Sequence, residues 1–337
     1  MKLVARRLRV VLAFPLAFGA VVVFATTAPA ATPRAIAGPG EVSLVAGVND
    51  TEDPNIAVLE FLPSSIKVAK GTKVTWAIAG PEPHSVTFVP PGTKTPPSVE
   101  TDESLTLPTP PTGAYDGTTL ANSGVLPLGP ATEVQKFTMS FGKTGKYTYY
   151  CVLHPNMVGT VQVTGDTQDS QSSITKRGNQ EKKQYLAEGE AAKTKLTKST
   201  PKQTTNSDGS TTYTVQTGAS TAHTDVLAFS PTPRKVKAGD HVTFVNTSSA
   251  PHTASFGGPL VPIVPTADDV VNPVPGASPQ TLVPSTYLNT GWLPPRSKGG
   301  PPLAARSYTY DLPDAGTFTY ACVLHLPSGM AGEIEAT

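Results

Sequence analysis

The sequence predicts an all-β protein of two β-sandwich domains joined by a polar, partly helical linker. Three observations lead there. The chain repeats itself once, short apolar runs alternate with polar residues around glycine turns, and a stretch poor in large apolar residues separates the repeats. At 337 residues the chain is long enough for two domains with separate cores.

The elements follow in chain order. Residues 1–30 read as a secretory signal. Lys2, Arg6, Arg7 and Arg9 precede the apolar run Val10–Phe24, and Ala28-Pro29-Ala30 offers a cleavage site. The run is short for a membrane span and is interrupted by Pro15. The first sandwich is expected over 40–165. In it Ile66-Lys67-Val68 and Val74-Thr75-Trp76 flank a turn at Gly71, and Tyr147-Thr148-Tyr149 and Gly159–Val163 are later strands. Residues 166–222 are rich in Lys, Gln, Thr, Ser and Glu and read as a solvated linker, with a helix possible near Arg177–Lys198 that Gly189 weakens. If flexible, it would let the domains wander about 40 Å apart.

The second sandwich is expected over 223–337. Phe61, Pro63, Val68, Gly71, Val74, Trp76 and His84 recur 168 residues later as Phe229, Pro231, Val236, Gly239, Val242, Phe244 and His252. Gly145, Tyr147, Tyr149, Cys151 and His154 recur 171 residues later as Gly316, Phe318, Tyr320, Cys322 and His325. Between these blocks, Asn122-Ser123-Gly124-Val125-Leu126-Pro127 is echoed by Asn289-Thr290-Gly291-Trp292-Leu293-Pro294. The Pro-rich stretches Pro90–Pro111 and Pro259–Pro295 read as surface excursions, ahead of a cover over one end of each domain or a ridge for docking a partner.

Charge excludes some functions. The formal net charge is +1; without the four basic residues of the signal, 22 basic residues face 25 acidic ones. Such a near-neutral chain carries no electrostatic footprint for nucleic acid, and beyond the signal no segment is long and apolar enough to cross a bilayer. The expected location is outside the cytoplasm: periplasmic, extracellular or at the cell surface.

The chemistry lies in a phrase spoken twice. Cys151-Val152-Leu153-His154-Pro155-Asn156-Met157 returns as Cys322-Val323-Leu324-His325-Leu326-Pro327-Ser328-Gly329-Met330, and His84 and His252 each follow a proline upstream. The chain has two cysteines and four methionines, so these phrases hold both thiols and two of the three thioethers beyond Met1. A thiolate, two imidazoles and a weak thioether form the donor set that suits copper cycling between Cu(I) and Cu(II). Two cysteines in an exported protein also suggest a disulfide, but each stands in its own half, in matching surroundings, three residues before a histidine. The expected ligands are His84, Cys151, His154 and Met157 at one site, and His252, Cys322, His325 and Met330 at the other, for two coppers per chain. His223 and His241 have no counterpart in the other half and read as surface residues, and Met139 as core.

On the Pro-His pairs and the Gly-x-aromatic-x-Tyr-x-Cys-x-x-His runs, each half resembles the cupredoxins, the blue-copper family of plastocyanin and amicyanin. The resemblance implies Greek-key sandwiches, type 1 copper and one-electron transfer between transient redox protein partners through the edges of His154 and His325. Two residues separate His154 from Met157, as in amicyanin-like loops; four separate His325 from Met330, as in plastocyanin-like loops. Ser85 and Thr253 stand where those relatives often carry an Asn that braces the cysteine loop. Two other classes share the fold. Laccase-like oxidases and copper nitrite reductases need additional histidines, such as His-x-His pairs, and this sequence has no His-x-His; a site shared between subunits would have to draw on His223 or His241. A copper-capture, delivery or cell-surface module would need the metal but not its redox couple.

Overall fold

The computed structural model describes residues 40–337 except 79, 100, 128–133, 155, 201, 232–235, 258–277, 284–285 and 297–301. The expected signal and much of the second Pro-rich stretch lie outside the described residues. The first half contributes β1 (Glu41–Asn49), β2 (Ile56–Leu62), β3 (Ser65–Ala69), β4 (Lys73–Ile78), β5 (Thr87–Phe88), β6 (Ala121–Asn122), β7 (Gln135–Ser140), β8 (Gly145–Tyr150) and β9 (Val158–Thr164). These form two facing sheets, β2-β1-β4-β7 and β3-β9-β8-β5-β6. Alternation fixes which residues face inward. Val42 and Leu44 lie opposite Val74 and Trp76 in the parallel β1–β4 pair, and all four are buried. Trp76 packs edge-on against Tyr149 at 5.3 Å, and Phe61 meets Tyr149 at 4.5 Å. Met139 belongs to this core.

The second half follows the same plan. After helix α1 (Gln171–Thr197) come β10 (Lys202–Thr205), β11 (Thr211–Ser220), β12 (Thr224–Ser230), β13 (His241–Asn246), β14 (Ser255–Phe256), β15 (Gln280–Thr281), β16 (Leu288–Asn289), β17 (Ser307–Asp311), β18 (Gly316–Ala321) and β19 (Ala331–Ala336). One sheet runs β12-β11-β13-β17-β15 and the other β16-β14-β18-β19. Phe244, Phe256, Tyr310 and Tyr320 fill the space between them.

The two halves are one continuous structure. β12 pairs antiparallel with β2, setting Thr224, Asp225 and Val226 opposite Val58, Ala57 and Ile56. A single sheet therefore crosses both sandwiches. That explains the near-continuous apolar run Ile-Ala-Val-Leu-Glu-Phe-Leu in β2, every residue of which is buried.

The stretch read as a flexible linker departs most from expectation. Helix α1 lies against the sheet with Ile174, Gly178, Tyr185, Gly189 and Leu196 buried. Their spacings of 4, 7, 4 and 7 residues keep them on one face. A Cβ on Gly178 would lie 2.9 Å from the backbone of Leu62, and one on Gly189 would lie 2.4 Å from Ile56 and 2.6 Å from Thr224. The glycines that weaken the helix in isolation thus allow its close approach to the β2–β12 seam. Ser170 caps the helix start, Glu181 accepts from the Ser64 N–H, and Lys193 pairs with Asp53 at 2.6 Å. β11 also falls within this stretch, yet it pairs in parallel with β13 as β1 does with β4. Its Thr-rich sequence, Thr-Thr-Tyr-Thr-Val-Gln-Thr, conceals a sandwich strand that begins before residue 223.

Candidate metal centres

Each candidate site is assembled from three segments. The upstream histidine is held by the echoed loop phrase. His84 and Leu126 exchange backbone hydrogen bonds at 2.7 and 2.8 Å; His252 and Leu293 do so at 3.2 and 2.8 Å. The cysteines follow β8 and β18, and each Cys–Met loop is closed at its base. The Cys151 N–H donates to the Met157 carbonyl at 3.1 Å, and the Cys322 N–H to that of Met330 at 3.0 Å. Met157 and Met330 are fully buried in the two cores.

The donor atoms converge. In the first half Cys151 Sγ lies 3.4 Å from His154 Nδ1 and 3.9 Å from His84 Nδ1. In the second, Cys322 Sγ lies 3.3 Å from His325 Nδ1 and 3.7 Å from His252 Nδ1, while the two Nδ1 atoms are 3.1 Å apart. Each His-Cys-His trio keeps its donor atoms within 4.8 Å of one another, all buried. Both cysteines are free thiols, so no disulfide joins the halves.

Ser85 and Thr253 supply the brace that their sequence left in question. The N–H of each donates to the cysteine sulfur, at 3.4 and 3.3 Å, and their hydroxyls accept the N–H of Val152 and Val323 at 2.9 and 3.0 Å. The hydroxyls continue through Thr87 to Asn122, and through Ser255 to Asn289. A fully buried polar chain thus ties each cysteine loop to the echoed loop phrase. The first Pro-rich stretch also seats here. The Val99 N–H donates to Val152 at 3.2 Å, and Leu105 packs with Val125 and Val152, so this excursion covers the cysteine loop rather than standing off it.

Glycines make room for the upstream histidines. Gly47 and Gly218 have φ of 67° and 72°, at irregularities in β1 and β11. A Cβ at Gly47 would sit 1.7 Å from His84 Nε2, and one at Gly218 would sit 2.6 Å from His252 Nε2. The two rings differ behind this shared feature. His252 Nε2 meets Ser248 Oγ at 2.7 Å, whereas buried His84 Nε2 has no partner among the described residues. Gly80 stands where the second half has Ser248.

The other histidines differ more. The implied solvent-facing edges are almost closed: His154 is 7% exposed and His325 5%. The His325 edge turns into the seam, where Nε2 lies 3.3 Å from Glu82 Oε2 of the first half. Glu82 Oε1 accepts from Ser328 Oγ at 2.8 Å. Ser328 ends the short 3-10 helix Leu326–Ser328, which Gly329 terminates in the left-handed conformation. The longer axial loop of the second half is therefore an interdomain contact: Asn55 Nδ2 donates to the Ser328 carbonyl at 2.7 Å. Glu82 has no sequence counterpart, since Ala250 occupies its position in the second half, and a comparison of the repeats passes over it.

Electrostatics record the same asymmetry. Burial pushes the Cys151 thiol up and His84 down to about 3. Burial acts likewise on Cys322, but His325 and His252 outweigh it and hold that thiol well below its ordinary range. For His325, burial is outweighed by the charges of Glu82 and Cys322, which raise it to about 9. Burial lowers His154 well below its usual value, helped by the charges of His84 and His325, so the centres lie within electrostatic reach of each other.

The donor chemistry and convergence fit copper at both centres. His223 and His241 lie elsewhere: His223 Nδ1 meets Glu60 at 2.9 Å, and His241 meets Asp311 and Ser210 at 2.6 and 3.1 Å.

Comparison with known proteins places the chain among its relatives. The family described as copper binding proteins, plastocyanin/azurin family, matches residues 48–164. Plastocyanin of Scenedesmus fuscus is 31% identical over 113 residues, which are 34% of this chain and 90% of that one. Plastocyanin A/B of Petroselinum crispum is 29% identical over 32% of this chain and 86% of its own length. Among solved structures, amicyanin from Paracoccus versutus is 18% identical with a TM-score of 0.24, over 37% of this chain and 81% of that one. The chain belongs to the plastocyanin/azurin family of copper-binding proteins.

Proposed function

We propose that this protein is an exported one-electron carrier with two type 1 copper centres, held by His84, Cys151, His154 and Met157, and by His252, Cys322, His325 and Met330. The observation that carries this reading is the pair of buried His-Cys-His trios, each with its donor atoms within 4.8 Å. When bound, copper supplies the Cu(I)/Cu(II) couple. The chain supplies the rest. The buried donors are shielded from solvent, and the Ser85 and Thr253 hydrogen bonds hold each thiolate in one position. Because the ligands come from distant segments of a packed sandwich, the site resists rearrangement when the metal changes charge. Exchange with protein partners then proceeds through narrow, transient contacts.

Export rests on the basic and apolar leader. No helix among the described residues is long and apolar enough to cross a membrane. The contacts of His223 with Glu60 and of His241 with Asp311 favour structural roles over catalytic ones.

The test is to load the purified chain with Cu(II), count copper and record the visible spectrum, then repeat with Cys151→Ser and Cys322→Ser. The expected result is two coppers and an intense blue thiolate-to-copper band, roughly halved by each substitution. A colourless protein holding copper would overturn the reading.

A further inference from the structure

Glu82 lies two residues before His84 in sequence and contacts His325 in space. It belongs to the segment that supplies one centre and hydrogen-bonds a ligand candidate of the other. Its carboxylate is 3% exposed, and both oxygens face donors: Oε2 the His325 ring and Oε1 the Ser328 hydroxyl. The His325 Nδ1 faces Cys322 and His252. A neutral imidazole that gives its Nδ1 lone pair to a metal keeps its proton on Nε2, so the ring donates Nε2–H to Glu82. Burial pushes the Glu82 carboxyl up, and His325 and the Ser328 hydroxyl pull it back, so both oxygens are placed to accept from these two donors. A second buried acid, Asp225, accepts from Ser220 and Ser249, and burial pushes its carboxyl up. Behind the first centre, by contrast, His84 Nε2 has no partner among the described residues.

We propose that Glu82 is a positioning residue coupling the two copper centres: it holds the second centre at the lower potential and forms the bridge by which that centre reduces the first. This inference rests on the two-copper reading. A carboxyl oxygen that accepts the Nε2–H of a ligating imidazole raises that ligand's basicity and so favours the more positive metal state, Cu(II), at the second centre. With copper bound at both centres, one electron would pass from Cu(I) at the second to Cu(II) at the first, leaving Cu(II) and Cu(I) respectively. The route crosses the Nε2–H···Oε2 hydrogen bond and continues through covalent bonds from Glu82 and Pro83 to His84. No proton is transferred, because His325 keeps its Nε2–H throughout.

The test uses the full copper-loaded chain. The two midpoint potentials are measured by spectroelectrochemistry and assigned with Cys151→Ser and Cys322→Ser. Glu82→Gln keeps an acceptor and removes the charge. The expected result is a second-centre potential raised so that the intersite equilibrium shrinks about tenfold, which is 59 mV for a one-electron couple. Ser328→Ala removes a donor from the carboxylate, concentrates its charge on His325, and is expected to shift the same potential downward. Glu82→Leu removes the hydrogen bond, and the concentration-independent intersite electron transfer after pulse reduction should slow at least about tenfold, the scale of effect for lost outer-shell partners. Unchanged potentials in Glu82→Gln, or shifts of the same sign in Glu82→Gln and Ser328→Ala, would overturn the coupling while two blue bands remained. An unchanged intersite rate in a folded Glu82→Leu would overturn the route. If the unsubstituted protein shows no blue band, the two-copper reading itself fails.

Discussion

Replacing both helix glycines with alanine gives a test whose sign decides how α1 is used. In a solvated linker, each Gly→Ala change would favour the helix by about 1 kcal/mol. In the docked helix, the new Cβ at position 178 meets the Leu62 backbone at 2.9 Å, and that at 189 meets the β-branched Ile56 and Thr224 side chains at 2.4 and 2.6 Å. Neither neighbour yields easily, since the first is backbone and the second pair are stiff at χ1. Overpacking of this kind costs about 1–3 kcal/mol per site. With the propensity gain subtracted, each substitution should cost about 1 kcal/mol net. The sites lie three helical turns apart, about 16 Å along the axis, so the costs should add. Gly178→Ala/Gly189→Ala should therefore lose about 2 kcal/mol, where a linker would gain about the same. The assay is reversible urea unfolding followed by circular dichroism, with the midpoint compared at constant slope. Asn179→Ala, on the exposed face, is the control and should be neutral or slightly stabilising. A raised midpoint in the double variant would refute the docking of α1 on the seam.

Other outcomes follow from single contacts. Burial pushes the Glu60 carboxyl up to about 7, against the pull of His223, so the folded state keeps a proton that the unfolded chain gives up near 4.5. Stability should then fall as pH rises from about 4.5 to about 7, and Glu60→Gln should be more stable by about 2 kcal/mol at pH 8 but not at pH 4; thermal melts showing equal differences at both pH values would contradict this. Gly47→Ala should abolish copper binding at the first centre and spare the second, because its Cβ would occupy the place of the His84 ring; copper counting on the Cys322→Ser background checks the loss and on the Cys151→Ser background the retention. Ser85→Ala removes the acceptor for the Val152 N–H, and should cost about 1–3 kcal/mol and shift only the first centre's blue band, with Thr253→Val doing the same at the second. Retention of both bands at unchanged energy and stability would show that these hydroxyls brace nothing.

Much of this architecture is legible in the sequence because it is repeated. The phrase from Asn122 to Pro127 is echoed in the second half, and the backbone pairing of Leu126 with His84 supplies its role. The two Cys–Met loops, the upstream histidines and the sandwich strands were readable for the same reason. The contacts that join the halves depend on residues that differ between them. Glu82 faces no counterpart but Ala250, Ser328 lies in the longer axial loop, and Asn55 reaches both Leu227 and Ser328. Matching one half to the other cannot find such residues. Local propensity fails at α1 for a related reason: Gly178 and Gly189 count against a helix until the sheet beneath them is known, and then account for its position.

The shared β2–β12 ladder has a consequence for handling the protein in parts. Severed at the seam, the first half would expose β2 as a bare, apolar edge, and the second half would expose β12. Unpaired strands of this kind recruit other chains and seed aggregation. The two halves are therefore one folding unit, and an isolated half would report the behaviour of an exposed edge rather than that of a carrier domain.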